Sequence, residues 1–125
     1  MRPGLCAAIL VLALVPAASA IASGPGPNGS YGDEAGCLFA ADGSYDDDTL
    51  LRLSADRYDS FATGCEFLQA LPASDGSKVL TMLCSHEGET FQSIEFMRIV
   101  KQGEEDAYDL YSQSGEHIGG VRRCM

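Results

Sequence analysis

The sequence predicts an all-β domain, an antiparallel meander that forms a small barrel or a sandwich. Turn signals rich in Asp and Gly recur at short intervals, as at Asp42-Gly43 and Asp75-Gly76, and each of them breaks a more apolar stretch. Several of the intervening stretches alternate polar and apolar side chains with a period of two, which is typical of half-buried strands. A set of cysteines in the same region adds the expectation of two disulfides.

Seven runs have strand character, and their short, even spacing is that of small barrels and sandwiches. The runs cover 37–40, 50–53, 65–71, 78–84, 90–100, 107–111 and 118–124. Within 91–100 two sets of positions alternate, and the even-numbered set is the more apolar of the two.

The segment from Asp48 to Leu71 fits two kinds of structure. Its apolar residues recur every three or four positions, which is helical spacing, and Asp48 would serve as the N-cap. Leu51 and Leu53 alternate, however, and Gly64 interrupts the run, which favours strands. We therefore predict strands here, with one short helix within 48–63 as the alternative.

The N-terminus has the three parts of a secretory signal peptide. Arg2 gives a positively charged start, an apolar run covers 6–15, and Ala18-Ser19-Ala20 places small residues where a signal peptidase tests them. A membrane-spanning helix needs ~20 apolar residues, and this run is shorter. We expect cleavage after Ala20, or alternatively after Ala22.

This cleavage divides the chain into three parts. They are a signal peptide over 1–20, a flexible lead-in over 21–35 and a single disulfide-stabilised β domain over 36–125. The lead-in is rich in Gly, Pro and Ser, a composition that offers little to a core. We expect the mature protein to be periplasmic or secreted, without insertion into a membrane.

The charge of the chain limits its partners. Loss of Arg2 with the signal changes the formal net charge from −10 to −11. Nucleic acid is excluded as a partner, because binding to phosphates needs clustered Lys and Arg. An anionic membrane surface is disfavoured for the same reason. A basic protein or a small ligand remains as the expected partner.

Cleavage also removes Cys6 and leaves an even number of cysteines, the usual state of small exported disulfide-stabilised domains. The remaining four are Cys37, Cys65, Cys84 and Cys124. They allow three pairings, and the sequence alone does not choose among them. We prefer Cys65–Cys84 as a local bridge and Cys37–Cys124 as a tie between the chain ends. A zinc site is disfavoured because no C-x-x-C pair exists.

An acidic loop is the candidate metal site. Its carboxylates belong to Asp42, Asp46, Asp47 and Asp48. Carboxylate oxygens bind calcium, but the EF-hand pattern needs Gly at its sixth position and Glu at its twelfth, and here Gly43 falls second. A solvated acidic loop is the simpler interpretation, and we expect neither a metal nor a cofactor.

A thiol, an imidazole and a carboxylate lie close together in Cys84-Ser85-His86-Glu87. A cysteine nucleophile beside a base has this composition, so a small thiol-dependent redox or hydrolytic enzyme using Cys84 and His86 is one alternative function. Oxidation of Cys84 to a disulfide would remove the reactive thiol. We therefore expect no catalytic residues and a non-enzymatic protein.

Short motifs distributed over most of 37–124 resemble a group of small exported bacterial proteins. The motifs are Gly64-Cys65-Glu66-Phe67, the run from Leu83 to Glu89, and Arg123-Cys124, together with a signal peptide and an early cysteine. Members of that group are disulfide-stabilised β domains of unknown function. The resemblance implies an exported binding or envelope-associated protein.

A second similarity is to the periplasmic lysozyme inhibitors, which are also small β-barrels with a disulfide. Their inhibitory loop carries a Ser-Gly-x-x-Tyr segment. Here Ser114-Gly115 keeps the Ser-Gly, and Ile118 stands where the Tyr would be. This similarity implies that the acidic protein binds a basic partner such as a lysozyme.

Overall fold

The structure is a computed structural model that describes residues 3–4, 13–14, 24–44 and 48–125. Most of the expected signal peptide, with Cys6 and both cleavage positions, lies outside these ranges, as do Asp46 and Asp47. Within the described ranges, no helix has the length and apolar character that a membrane crossing requires.

Eight antiparallel strands close into a barrel in which each strand pairs with its neighbours in the sequence. They are β1 Tyr31–Gly32, β2 Leu51–Leu53, β3 Arg57–Ser60, β4 Thr63–Pro72, β5 Lys78–His86, β6 Ser93–Lys101, β7 Ala107–Ser112 and β8 His117–Arg123. β1 pairs with both β2 and β8, so the sheet closes without an open edge. The predicted all-β meander is confirmed, and it takes the form of a barrel.

A helix, α1, covers Glu34–Asp42 between β1 and β2. Asp33 caps its start, since Asp33 Oδ1 accepts a hydrogen bond from the Gly36 amide at 2.6 Å. Gly43 ends it in the left-handed conformation with φ of 77°. The strand predicted at 37–40 is therefore wrong: its apolar run lies between two helix-capping residues and packs as a helix.

The segment 48–63 contains the β2–β3 hairpin. Leu53 faces Tyr58 across the hairpin, and both side chains are buried. The Ser54 amide donates to the Arg57 carbonyl at 3.0 Å and closes the turn. The alternative of a short helix within 48–63 is wrong, because the apolar positions here alternate along two strands on either side of a turn.

The expected lead-in is not separate from the domain in its described part. Tyr31 of β1 is only 2% exposed and belongs to the core. The Gly26 amide donates to the Ala55 carbonyl at 2.6 Å. A Cβ on Gly26 would lie 2.3 Å from the Ser54 carbonyl oxygen, so glycine permits this close approach. The boundary predicted at residue 36 is therefore too late, because the Gly-rich composition conceals one core aromatic.

The core fills the barrel interior. It consists of Tyr31, Leu53, Tyr58, Cys65, Phe67, Leu80, Met82, Cys84, Met97, Ile99, Leu110 and Val121. Two disulfides join Cys65 to Cys84 and Cys37 to Cys124, which is the pairing preferred from the sequence. The first links β4 to β5 within the core, and the second links α1 to the end of the chain.

The two faces of β6 differ from what its composition suggests. The more apolar even-numbered set faces outward, and Ile94 and Phe96 are 65% and 48% exposed. Met97 and Ile99 of the odd-numbered set are buried. The inward face of β6 therefore carries Glu95, and this residue defines the candidate site.

Candidate binding site at the barrel mouth

One end of the barrel holds an open cavity of about 250 Å³, here called the barrel mouth. It lies where β3, β5 and β7 end and where β4, β6 and β8 begin. Its lining residues are Tyr58, Ser60, Thr63, Cys65, Met82, His86, Glu95, Phe96, Met97, Ser112, Gln113 and Ile118.

A chain of hydrogen bonds crosses one wall of the mouth. Thr63 Oγ1 lies 2.9 Å from His86 Nδ1, and His86 Nε2 lies 2.5 Å from Glu95 Oε2. Ser93 Oγ donates to the same Glu95 oxygen at 2.8 Å. These residues come from β4, β5 and β6, and the chain therefore fixes an imidazole and a carboxylate side by side.

Strand register places these side chains together. Thr63 and His86 are direct partners between β4 and β5. Glu95 is the direct partner of Met82, which lies on the same inward face of β5 as His86. Direct partners in an antiparallel sheet have neighbouring side chains, so the pairing of three adjacent strands is sufficient to build the chain.

The floor of the mouth is apolar. Met82 and Met97 are buried beneath it, and the Cys65–Cys84 disulfide lies between β4 and β5 at the same level. Methionine is flexible and polarizable, and it adapts to ligands of different shape. A polar wall over an adaptable apolar floor is the usual composition of a small-ligand site.

The tautomer of His86 follows from its hydrogen-bond partners. A carboxylate is only an acceptor, so with ionised Glu95 the proton of a neutral His86 belongs on Nε2. His86 Nδ1 then accepts the hydrogen bond of the Thr63 hydroxyl. This tautomer is assigned from the hydrogen bonds. Neither of the hydrogen bonds to Glu95 uses its Oε1 atom.

The thiol site that the sequence offered as an alternative does not form. Cys84 is oxidised to a disulfide with Cys65, so it has no thiol to act as a nucleophile. Glu87 is exposed in the following turn, and Glu95 contacts His86 in its place. The candidate site therefore keeps only His86 from the predicted set.

Sequence reasoning missed Thr63, Ser93 and Glu95 as site residues. The available signal was the alternation of β6, which places Glu95 on one face with Met97 and Ile99. A carboxylate on a face with two aliphatic core residues is unusual unless it has partners. That signal was hidden because the opposite face is the more apolar one.

The acidic loop is described only in part. Asp42 Oδ1 accepts a hydrogen bond from the Ser44 amide at 2.8 Å, and hydrogen bonds from Ser44 lower the pKa of Asp42. Asp48 is exposed, while Asp46 and Asp47 lie outside the described residues. Across the described part of the chain, no three His, Cys, Asp or Glu residues group as metal ligands.

The opposite end of the barrel carries a second polar cluster. Tyr31 donates its hydroxyl proton to Asp106 Oδ1 at 2.5 Å, and Arg123 donates to the other oxygen of Asp106. Burial, followed by the hydrogen bond to Asp106, raises the pKa of Tyr31 to about 12. The hydrogen bond from Arg123 is the main cause of a lowered pKa at Asp106. Every member has a partner, so this cluster stabilises the barrel closure.

The function of this protein is inferred from the residues of the mouth and from the negative net charge. Comparisons with protein-family models, with curated proteins and with solved structures found no match to this chain.

Proposed function

We propose that this chain is an exported, non-enzymatic binding protein that takes a small ligand into the barrel mouth. The supporting observation is the hydrogen-bonded chain of Thr63, His86 and Glu95 in the wall of an open cavity with an apolar floor. Ligand pockets combine an apolar lining with a few placed polar groups. Eight-stranded barrels are wide enough to hold one small ligand at their mouth.

The size of the mouth limits the ligand. Its volume of about 250 Å³ lies just below the ~300–1,000 Å³ that is typical of sites for drug-sized ligands. The floor is formed by buried side chains and by a disulfide, so the cavity cannot deepen without unpacking the core. A compact ligand with one polar end and a short apolar body fits these limits.

In this proposal the protein acts in the periplasm or outside the cell. Two disulfides suit an oxidising environment, where such bonds persist. The tripartite N-terminal pattern is the route by which the chain would reach it.

A pair of matched variants tests this proposal. Thr63→Phe would fill the mouth, whereas Thr81→Phe adds the same ring to a strand position that is not among the mouth-lining residues. Wild type and both variants would be incubated with a small-molecule extract of the exporting cell and measured by native mass spectrometry. We expect an added ligand mass on wild type and Thr81→Phe, and its loss in Thr63→Phe.

Two outcomes would contradict the proposal. One is the absence of any added mass on correctly folded wild type. The other is an added mass that survives in Thr63→Phe, since the ligand would then lie elsewhere. Far-ultraviolet circular dichroism of each variant confirms that the barrel has formed.

A second candidate is inhibition of a basic protein such as a lysozyme. The β7–β8 turn, which contains Ser114-Gly115, borders the mouth through Ser112 and Gln113. A partner docked at this end would contact the turn and the acidic surface together. The candidate predicts that the mature protein slows cell-wall lysis at low salt and does so less at high salt. No effect at stoichiometric excess would remove it.

A further inference from the structure

We infer that the ligand of the barrel mouth is a primary amine whose ammonium group pairs with Glu95. This inference rests on the proposed function and specifies the chemical class of its ligand. Three observations carry it: the Oε1 side of the Glu95 carboxylate, the charge of the lining, and the serine hydroxyl and tyrosine ring beside it.

The Glu95 carboxylate is held in place by hydrogen bonds to one of its oxygens and can accept further hydrogen bonds at the other. Both hydrogen bonds that it accepts, from His86 and Ser93, go to Oε2 and fix the orientation of the group. Its side chain is 33% exposed, so water and solutes reach it through the mouth. An ammonium group would reach Oε1 and form a charge-assisted hydrogen bond, which is about twice as strong as a neutral one.

The charge of the lining selects for cations. Glu95 is the acidic residue among the described residues that line the mouth, and none of these is Lys or Arg. The whole chain carries a formal charge of −10. A concave site of one charge sign focuses the field and concentrates ions of the opposite sign. The one basic side chain in this described lining, His86, already pairs with Glu95, so an anionic ligand would find no other basic partner among the described lining residues.

The remaining lining suits the rest of an amine. An ammonium has three donors and no acceptor. One can go to Glu95, and Ser112 of the neighbouring strand β7, whose hydroxyl also contacts Ser114, offers a further acceptor at the mouth. The ring of Tyr58 borders the same space and attracts a nearby cation. The methionine floor would then receive a short alkyl chain.

Three probes of matched length test this inference by isothermal titration calorimetry on the mature protein. They are hexylamine, hexanol and hexanoate, which share one alkyl chain and differ in the charge of the head group. A hydrogen bond between charged groups is worth about 1.5–3 kcal/mol, so we expect the amine to bind roughly tenfold to a hundredfold tighter than the alcohol. Hexanoate should bind more weakly than hexanol.

Two variants test whether the Glu95 carboxylate is the charge that pairs with the ammonium group. Glu95→Gln should lower hexylamine affinity by about tenfold or more and should lower hexanol affinity by clearly less, because the alcohol carries no charge. Glu89→Gln makes the same change in net charge in the exposed β5–β6 turn, at a residue that is not among the mouth-lining residues. This control should bind both probes as wild type does.

The outcomes separate this inference from the function on which it rests. Equal affinity for amine and alcohol, with both lost in Thr63→Phe, would overturn the amine inference and support a mouth that binds small ligands. Equal weakening by Glu89→Gln and Glu95→Gln would also overturn it, because the charge would then act only at long range. Failure of all three probes on wild type rejects the alkylamine, while the native mass measurement decides independently whether the mouth holds a ligand.

Discussion

Thr63 and His86 are direct partners across β4 and β5, and their side chains meet at 2.9 Å inside the barrel mouth. Their separation of 23 positions in the sequence is bridged by a single strand pairing. The pair links stability to the candidate site, because the same contact that joins two strands also orients the imidazole toward Glu95.

Removal of the Thr63 hydroxyl should therefore destabilise the barrel measurably. Thr63→Val keeps the branched shape and leaves His86 Nδ1 without its protein partner. The expected loss is about 1 kcal/mol in the free energy of unfolding, the usual net value of one hydrogen bond. Urea unfolding followed by circular dichroism measures it.

The matched control for this change is Thr81→Val. Thr81 Oγ1 accepts a hydrogen bond from Gln69 Nε2 at 3.2 Å, but that bond is exposed. We expect Thr81→Val to change stability by less than Thr63→Val. Equal losses at the two positions would contradict a special role for the Thr63–His86 pair.

The two disulfides should differ in their contribution to stability. Cys37–Cys124 spans 87 positions and Cys65–Cys84 spans 19. The chain-entropy model assigns about 4.6 kcal/mol to the longer loop and about 3.3 kcal/mol to the shorter one, with a disputed physical origin. We expect the Cys37→Ala/Cys124→Ala double variant to unfold at a lower urea concentration than the Cys65→Ala/Cys84→Ala double variant.

The opposite order would have a specific meaning. Cys65 and Cys84 are both buried in the core, and their replacement by Ala also removes sulfur atoms from it. If the Cys65→Ala/Cys84→Ala variant were the less stable, core packing would outweigh loop closure. Measurement of each variant beside its Cys→Ser counterpart would separate the two effects.

Strand positions were predictable because alternation and turn residues are local signals. Six of the seven predicted runs coincide with strands, namely with β2, β4, β5, β6, β7 and β8. Gly-containing turns lie between several of these strands. β1 was missed because Tyr31 follows a Gly- and Pro-rich stretch whose composition resembles a linker. Helix α1 was missed because Cys37-Leu38-Phe39 has the apolar character of a short strand.

The candidate site was less predictable, because it depends on register between strands. A bulge between Phe67 and Gln69 shifts the pairing of β4 with β5 by one residue. On the Thr63 side of this bulge, odd-numbered residues face inward, and a one-residue slip would turn them outward. Nothing local to Thr63 or Glu95 encodes this pairing. His86 was singled out because it lies close to Cys84 and Glu87 in the sequence, and neither of these is its partner in the site.

Gly36 gives a test in which two physical effects have opposite signs. Helix propensity alone would make Gly→Ala in α1 stabilising by about 1 kcal/mol. A Cβ on Gly36, however, would lie 1.7 Å from the Leu51 carbonyl oxygen, a distance that backbone atoms cannot tolerate. We expect Gly36→Ala to destabilise the protein by about 1–3 kcal/mol, since α1 must move away from β2.

The control for Gly36→Ala is Ala40→Gly, at an exposed position of the same helix. Propensity predicts a loss of about 1 kcal/mol there, with no effect of packing. Thermal unfolding of the two variants compares them directly. A stabilising Gly36→Ala would contradict the close contact between α1 and β2.

Tyr31 should make the stability of the barrel fall in the alkaline range. Its pKa is raised from 10.0 to about 12, chiefly by burial and then by its hydrogen bond to Asp106. The folded state therefore retains a proton that the unfolded state releases. This contribution to stability is complete below pH 10.0 and is lost as the pH rises to about 12.

Ultraviolet absorbance titration of the folded protein reports this directly. The chain has five tyrosines, and burial also raises the pKa of Tyr58. Tyr31→Phe should therefore remove one late-ionising tyrosine from the titration curve of wild type. Tyr108→Phe, at the ring that meets Tyr31 edge-on at a centroid distance of 5.2 Å, serves as the control and should leave the late ionisation of Tyr31 in place.

The unfolding free energy completes the test. Between the two pKa values, wild type should lose stability more steeply with pH than Tyr31→Phe, because only wild type has a proton to lose at this position. Tyr31→Phe should start from a lower stability at neutral pH, since it lacks the hydrogen bond to Asp106. Parallel curves for the two proteins would show that the alkaline loss of stability comes from other groups.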